Sequence, residues 1–315
     1  MAKLRVGLVY GGRSVEHEIS VSSATSILRN LDPSRYEVWL IAIGHDGSWR
    51  LGAPGTSLAT AMKRGDVVVL PPTPEANALR PVAGGDAVGL DVLFPIVHGH
   101  GGEDGSLQGL LELAGLPYVG SGVAGSAIQM DKEIAKRLLA AAGIPVTPWR
   151  SLHAHELARD PKGLSLRIAG ELGLREIEVA VLGNEEPEAS VPGEIRPRRD
   201  WYDYEAKYVD DSTELLVPAP ISDDESERVR DLALRAYRTL EGAGLGRVDF
   251  LMERATGAFY LNEINSLPGF TEVSMYPRLW EASGLPYPQL LDRLVELAIE
   301  RHRRRAALET TFRPI

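Results

Sequence analysis

The stretch Arg247-Val-Asp-Phe-Leu-Met-Glu-Arg-Ala-Thr-Gly-Ala-Phe-Tyr-Leu-Asn-Glu-Ile-Asn-Ser-Leu-Pro-Gly269 carries the reading of this chain. An apolar run ends at Met252, the polar residues Glu253 to Gly257 make a turn, and a second run starts at Phe259, which spells a hairpin. Side chains alternate along a strand, so Glu263 and Asn265 point to the same face. If the strands pair, Asp249 joins them from the neighbouring strand. Two carboxylates and an amide are hard oxygen ligands, and no cysteine or histidine stands among them. Such a set suits Mg²⁺ that stays partly hydrated and shares its shell with substrate phosphates. On spacing alone, a solvent-facing hairpin edge carrying ordinary charges fits as well.

The wider wording is more specific. Arg247-Val-Asp-Phe250 followed by Leu261-Asn-Glu-Ile-Asn-Ser-Leu-Pro-Gly-Phe-Thr271 resembles the metal-binding strands of ATP-grasp ligases, and Ser274-Met-Tyr-Pro277 is similar to the D-alanine–D-alanine ligase branch of that superfamily. The resemblance implies an α/β protein, with an ATP-grasp fold behind an N-terminal doubly wound, Rossmann-like domain. It also implies ATP as a substrate and two Mg²⁺ or Mn²⁺ ions held by Asp249, Glu263 and Asn265.

Composition sets outer limits. A chain of 315 residues accommodates two or three domains and a sizeable core. Hydrophobic content of 44% and charged content of 25% are ordinary for a soluble globular protein. Cysteine is absent, which excludes disulfides and thiolate chemistry and is compatible with a reducing cytoplasm. A net charge of −10 argues against a nucleic-acid partner. No apolar run approaches the length of a membrane span, and no signal-peptide pattern opens the chain, so neither membrane nor export is expected. The basic cluster Arg301-His302-Arg303-Arg304-Arg305 follows an amphipathic helix and reads as a solvated helix end. A homodimer is left open.

Leu4 to Tyr10 reads as a buried strand broken by Gly11-Gly12; a helix with Ala24, Ile27, Leu28 and Leu31 follows, then a strand from Tyr36 to Ile43. Strand, glycine turn, helix and strand open a doubly wound layer. In the turn lies Ser14-Val-Glu-His-Glu-Ile-Ser20. The resemblance matches Glu16 to the acid that faces the amino group of the first D-alanine; read alone, Glu16 is an acid near a helix N-terminus, a routine dipole partner. Leu90 to Val97 is another apolar run, ending in His98-Gly-His-Gly-Gly-Glu-Asp-Gly105. That motif is similar to the family's second substrate loop and places His98 beside the first D-alanine. A helix over about 106–113 is expected to bury Leu107, Leu110, Leu111 and Leu113, and Pro117 to Gly122 reads as the last strand of this domain. Asp131 caps the next helix, with Ile134, Leu138 and Leu139 inward. Lys132 sits in its first turn, where the dipole disfavours a cation; the resemblance makes it an ATP phosphate contact.

Beyond Trp149 the chain departs from the family. A helix can be drawn from about Glu156 to Leu172, and Gly173-Leu174 then passes directly into the strand Arg175 to Leu182. Family members carry several dozen residues here: a strand with a phosphate-binding lysine, a Ser/Gly-rich loop and an acid-lysine hinge strand. None is found, although Glu176 fits the acid that contacts the ATP ribose. The central domain therefore reads as incomplete between Leu174 and Arg175, the more so because the strand has no partner just before it. The expected domains are 1–122, 123–184 and 185–315.

Downstream the match resumes. Trp201-Tyr-Asp-Tyr-Glu-Ala-Lys-Tyr208 resembles the loop closing over the active site, with Lys207 on ATP phosphate and Tyr208 facing substrate. Ser222 to Glu225 is a capping box ahead of a helix lined by Val229, Leu232, Ala233, Ala236, Tyr237 and Leu240, and Pro288 opens the last helix. By resemblance the chain joins two D-alanines for peptidoglycan synthesis. Arg247 and the backbone at Gly269 would stabilise the tetrahedral oxyanion, Ser274 would orient the second carboxylate, and Glu16 with His98 the first amine. Ester-forming family members have histidine at the position of Tyr208, so Tyr208 predicts a dipeptide. Two other readings stand beside this one: a different ATP-grasp carboxylate-amine ligase, and a nucleotide-binding homologue impaired by loss of the middle segment.

Overall fold

An unbroken apolar strand needs cover on both faces, and β1 (Leu4–Gly11) has it. Val6, Leu8 and Tyr10 pack into one core cluster and Val9 into another. The computed structural model describes residues 2–74, 78–149, 174–196 and 214–308. In the first layer β1 is followed by α1 (His17–Asn30), β2 (Tyr36–Ile43), β3 (Trp49–Gly52), α2 (Leu58–Arg64), β4 (Asp66–Val69), β5 (Ala78–Pro81), β6 (Val88–Gly89), β7 (Val92–Pro95) and α3 (Ser106–Leu113). These strands form a seven-stranded sheet in the order β6-β5-β4-β3-β2-β1-β7. Only β2-β1-β7 is parallel; β3 to β6 extend it as an antiparallel meander, which the sparse signal between Gly44 and Gly89 did not foretell.

Next come α4 (Val123–Met130) and α5 (Lys132–Ala141), then β8 (Leu174–Gly183), β9 (Glu188–Ala189), β10 (Gly193–Arg196), β11 (Glu214–Leu216), α6 (Asp223–Thr239), β12 (Gly244–Glu253), β13 (Phe259–Asn265), α7 (Met275–Ala282) and α8 (Tyr287–Ala306). The second sheet has six strands, β11-β10-β8-β12-β13 with β9 beside β8. One face carries Ile177, Val179, Val181, Val248 and Phe250 against Val229, Ala233, Ala236 and Tyr237 of α6. The Ser222 capping box starts that helix, with Ser222 Oγ accepting from Glu225 N and Glu225 Oε2 accepting from Ser222 N. On the other face one core cluster runs from Leu8 and Phe94 of the first sheet to Leu182, Leu245 and Leu294 of the second half. Phe270 joins the halves: its ring centre lies 6.1 Å from Phe94, 5.4 Å from Tyr276 and 5.8 Å from Tyr287.

Several expectations need correction. β8 is not short of partners: it pairs along its full length with β12 and also with β10 and β9, all later in the chain. The missing-partner argument at Leu174-Arg175 therefore fails, because sheet partners need not be sequence neighbours. The same pairing carries one sheet across the expected 184/185 boundary. Pro117 to Gly122 contributes only a bridge from Tyr118 to Leu93. On α5, Ala135, Lys136 and Leu139 turn inward while Ile134 and Leu138 are exposed. Lys136 Nζ donates to Thr147 Oγ1 at 2.5 Å, which fixes that rotation. On α3, Leu110 is only partly buried and Leu113 is exposed. The basic end of α8 is more than a solvated terminus. Arg301 lies 4.2 Å over the Tyr118 ring, and Arg305 Nη1 donates to Glu112 Oε1 at 2.6 Å, tying α8 to the first layer.

Candidate functional site

The polar face of the second sheet is set by register. Asp249 stands opposite Glu263 and Arg247 opposite Asn265, as alternation requires. The pairing then shifts, because Phe250 faces Leu261 and Asn262 is the extra residue of a β-bulge. That one-residue insertion has a consequence. Phe259 and Leu261 point into the apolar cluster, and without the bulge strict alternation would send Glu263 after them. On the other side of β12, Asp249 faces Glu178 of β8, so three acids form a row across three strands.

Arg247 organises the row. Its Nε and Nη2 donate to Asp249 Oδ1 and Oδ2, each at 2.8 Å, and its Nε lies 3.1 Å from Glu178 Oε2. All three residues are buried. Burial alone would favour the neutral guanidine, but the Asp249 and Glu178 carboxylates outweigh it and hold the Arg247 pKa well above its ordinary value. Asn265 Nδ2 donates to Asp249 Oδ2 at 2.8 Å, which leaves its carbonyl oxygen as an acceptor. Glu263 is half-buried and forms an ion pair with Lys132. Asp249, Glu263 and Asn265 thus lie together on one face as hard oxygen donors, the chemistry a hydrated divalent ion requires. The donor set fits Mg²⁺ or Mn²⁺.

Beside this row opens a cleft of about 540 Å³. Glu16, His98, Arg247, Asn265, Gly269 and Ser274 all line it, so six residues singled out from the sequence converge from both halves of the chain. Glu16 is the N-cap position of α1 and makes no side-chain cap bond. His98 is buried, with Nε2 3.3 Å from Ser23 Oγ. Burial pushes its pKa down to about 4, so the imidazole is neutral. His100 is exposed and lies against Asp104. Gly99 has φ +74°, and a Cβ there would come within 2.8 Å of Glu16 Oε2, so only glycine lets this loop approach Glu16. Gly269 lies under Ser274, whose Oγ accepts from Thr271 N at 3.0 Å.

Two cleft residues escaped sequence reading. Glu178 sat inside an apolar run. Glu103 accepts from Gly99 N at 2.6 Å and from Leu267 N at 3.2 Å, bridging the two halves. Enclosure of its carboxyl pushes the Glu103 pKa up to about 7, against the pull of those hydrogen bonds. The only signal was an acid in the glycine-rich loop. Glu176 is half-buried on β8, two residues before Glu178 on the same face. Lys207 and Tyr208 lie outside the described residues.

Residues 5–121 match the family model described as D-ala D-ala ligase N-terminus, and residues 166–296 that described as D-ala D-ala ligase C-terminus. The chain belongs to the D-alanine–D-alanine ligase family. It is 42% identical to a D-alanine--D-alanine ligase of Shouchella clausii, covering 99% of each chain, and 41% identical to D-alanine--D-alanine ligase A of Bradyrhizobium diazoefficiens, covering 98% and 99%. Among solved structures it resembles the D-alanine-D-alanine ligase of Coxiella burnetii at TM-score 0.85 and 33% identity, with 97% of each chain covered. It also resembles the VanG D-Ala:D-Ser ligase of Enterococcus faecalis at TM-score 0.81 and 25% identity, with 94% and 100% covered. As a ligase of this family, the chain brings Glu16 and His98 to the cleft from the first matched segment, and Arg247, Asn265, Gly269 and Ser274 from the second. The Shouchella alignment spans 365 positions against 315 residues here, so the ligase relative has at least 50 that face nothing in this chain.

Proposed function

We propose that this chain is an ATP-dependent ligase that joins two D-alanines through a D-alanyl phosphate, supplying D-alanyl-D-alanine for peptidoglycan. The supporting observation is the cleft itself, where an acid and a neutral imidazole from one half face a buried arginine and a serine from the other, above a row of metal-donor side chains. A carboxylate is a poor electrophile. The carboxylate oxygen of the first D-alanine attacks the γ-phosphorus of ATP, and ADP leaves. The amine of the second D-alanine then attacks the acyl carbon, phosphate leaves, and the amine proton is released.

Each residue has a part. Glu16 and neutral His98 hold the first ammonium, and Ser274 orients the second carboxylate. Arg247 and the Gly269 backbone N–H face the oxyanion of the tetrahedral intermediate. Two Mg²⁺ or Mn²⁺ ions on Asp249, Glu263 and Asn265 would neutralise charge on the transferring phosphate. Lys132, now paired with Glu263, exchanges that carboxylate for ATP phosphate; Lys207 adds a second cation, Glu176 takes the ribose, and Tyr208 closes the substrate side. We assign 1–122 to substrate binding and the remainder to the ATP-grasp unit, with β8 in the C-terminal sheet. The enzyme acts in the cytoplasm on D-alanine and ATP, without nucleic acid or membrane; light scattering on the purified chain decides between monomer and homodimer. Among the described residues no helix is long and apolar enough to cross a membrane.

The shortfall in aligned length, with the absent lysine strand and Ser/Gly-rich loop, supports extra residues between Leu174 and Arg175 in the expressed protein. The same shortfall is the one observation behind a second, weaker reading, a nucleotide-binding homologue that has lost turnover. One experiment separates them. Incubation with ATP, Mg²⁺ and single D-amino acids is expected to release phosphate and yield a D-alanine dipeptide by mass. Absence of both, together with a peptide running unbroken through Gly173-Leu174-Arg175-Glu176, would overturn the ligase reading. An ester as the main product with excess D-lactate would overturn the role of Tyr208.

A further inference from the structure

The rim of the cleft carries a side-chain group that the ligation chemistry does not use. His17 and Glu18, at the start of α1, stand beside His45 in the turn between β2 and β3. One ligand atom from each lies within 4.8 Å of the others, and among the described residues no other three His, Cys, Asp or Glu side chains are so placed. The two segments are in direct contact. The rings of His17 and His45 stack with centres 3.9 Å apart, and Glu18 Oε1 lies 3.7 Å from His45 Nε2. A Cβ on Gly47 would come 3.1 Å from Arg13 Cδ, so the two turns also touch there.

The chemistry of His17 is the decisive detail. It is buried, and its Nδ1 lies 2.7 Å from the carbonyl oxygen of Gly12. A carbonyl can only accept, so Nδ1 is the nitrogen that donates here, which leaves Nε2 as the one that can face an ion. Metal-binding histidines use this arrangement: one ring nitrogen donates to a fixed acceptor, which sets the tautomer and aims the other nitrogen at the ion.

We propose that His17, His45 and Glu18 bind one transition-metal ion of the zinc class, separate from the hard-oxygen row on the hairpin. Two imidazole nitrogens and a carboxylate as ligands favour Zn²⁺ over Mg²⁺, and three protein ligands leave a fourth, tetrahedral position for water. The stacked rings are inclined by only 24°, so their lone pairs run side by side and do not meet. Capture therefore turns His45 about its side-chain torsions. The side chains of His45 and Glu18 are 67% and 77% exposed, so both rotate without disturbing the core. The bound ion ties the turn that carries Glu16 to the turn after β2, at the mouth of the cleft that Glu18 lines.

The test is a calorimetric titration of the full chain with Zn²⁺ near neutral pH, in saturating Mg²⁺ so that the hairpin site is filled. Wild type is expected to take up one tight equivalent, and His45→Ala to bind at least about tenfold more weakly. Turnover of His45→Ala in Mg²⁺ alone is expected to match wild type, since His45 lies outside the ligation site. With Co²⁺ as probe, wild type should give the strong visible bands of a tetrahedral nitrogen-oxygen site, and His45→Ala should lose them. Equal Zn²⁺ binding by wild type and His45→Ala overturns the proposal, as does an absence of tight uptake by wild type.

Discussion

Glu194 and Glu103 are two glutamates drawn away from solvent whose carboxyl groups end in opposite states. Glu194 is buried on β10 and takes a fork from Arg175, at 2.9 and 2.8 Å, with a third contact from Arg196 at 3.0 Å. Burial raises its pKa, but the two guanidinium groups outweigh that and hold it below the usual carboxylate range. Glu103 is half-buried, its carboxyl held by the backbone N–H groups of Gly99 and Leu267 and facing the charge of Glu16. There desolvation wins, and the pKa rises to about 7. A peptide dipole offsets part of the cost of enclosing a charge; a bidentate cation offsets more than all of it. One glutamate is thus a fixed anion in the sheet, and the other is a proton-holding bridge between the halves.

Glu263 breaks the comparison most sharply, because it is a third case: paired with Lys132, yet still 17% exposed. Glu263→Gln is expected to keep the fold, by circular dichroism, and lose about 10³-fold in ATP turnover, the order found when one charge-stabilising group is removed. Unchanged turnover in saturating Mg²⁺ would mean that the hairpin is not the metal site. Arg175→Met removes the fork and strands part of the Glu194 charge. Urea unfolding at neutral pH should show a loss of about 3 kcal/mol, less if Arg196 compensates. Restoration by a second change, Glu194→Gln, would confirm that the stranded charge is the cause.

Glu103 should reveal itself through pH. A carboxyl that holds its proton more tightly when folded stabilises the fold at low pH. That contribution shrinks as pH rises from the unfolded value near 4.5 through about 7. Wild type should therefore lose about 3 kcal/mol relative to Glu103→Gln between pH 4.5 and 7.5, read from parallel urea melts. Parallel pH profiles for the two proteins would mean that Glu103 titrates normally. The smallest effect is expected at Gly269, where an added Cβ would lie 3.1 Å from Ser274 Oγ. Ser274 can yield a few tenths of an ångström, so Gly269→Ala should cost about 1 kcal/mol, seen as a roughly fivefold rise in KM for the second D-alanine. An unaltered KM would separate Ser274 from carboxylate binding.

The residue order by itself determined the elements whose causes are local. The hairpin at 247–269 followed from a period of two around a polar turn, the start of α6 from the Ser222 capping box, and the parallel layer from apolar runs ended by glycine. The wording around those elements also named the family and six residues that meet in the cleft. Only the tertiary structure decided which strands flank β8, which face of α5 turns inward, and that Asn262 bulges so that Glu263 joins Asp249. It alone drew Glu103 to Leu267 and gathered His17, Glu18 and His45. Periodicity and caps act over one turn or one strand, so a single sequence reports them. Register, bulges and the state of an enclosed acid depend on groups far along the chain, and those meet only when the two halves pack.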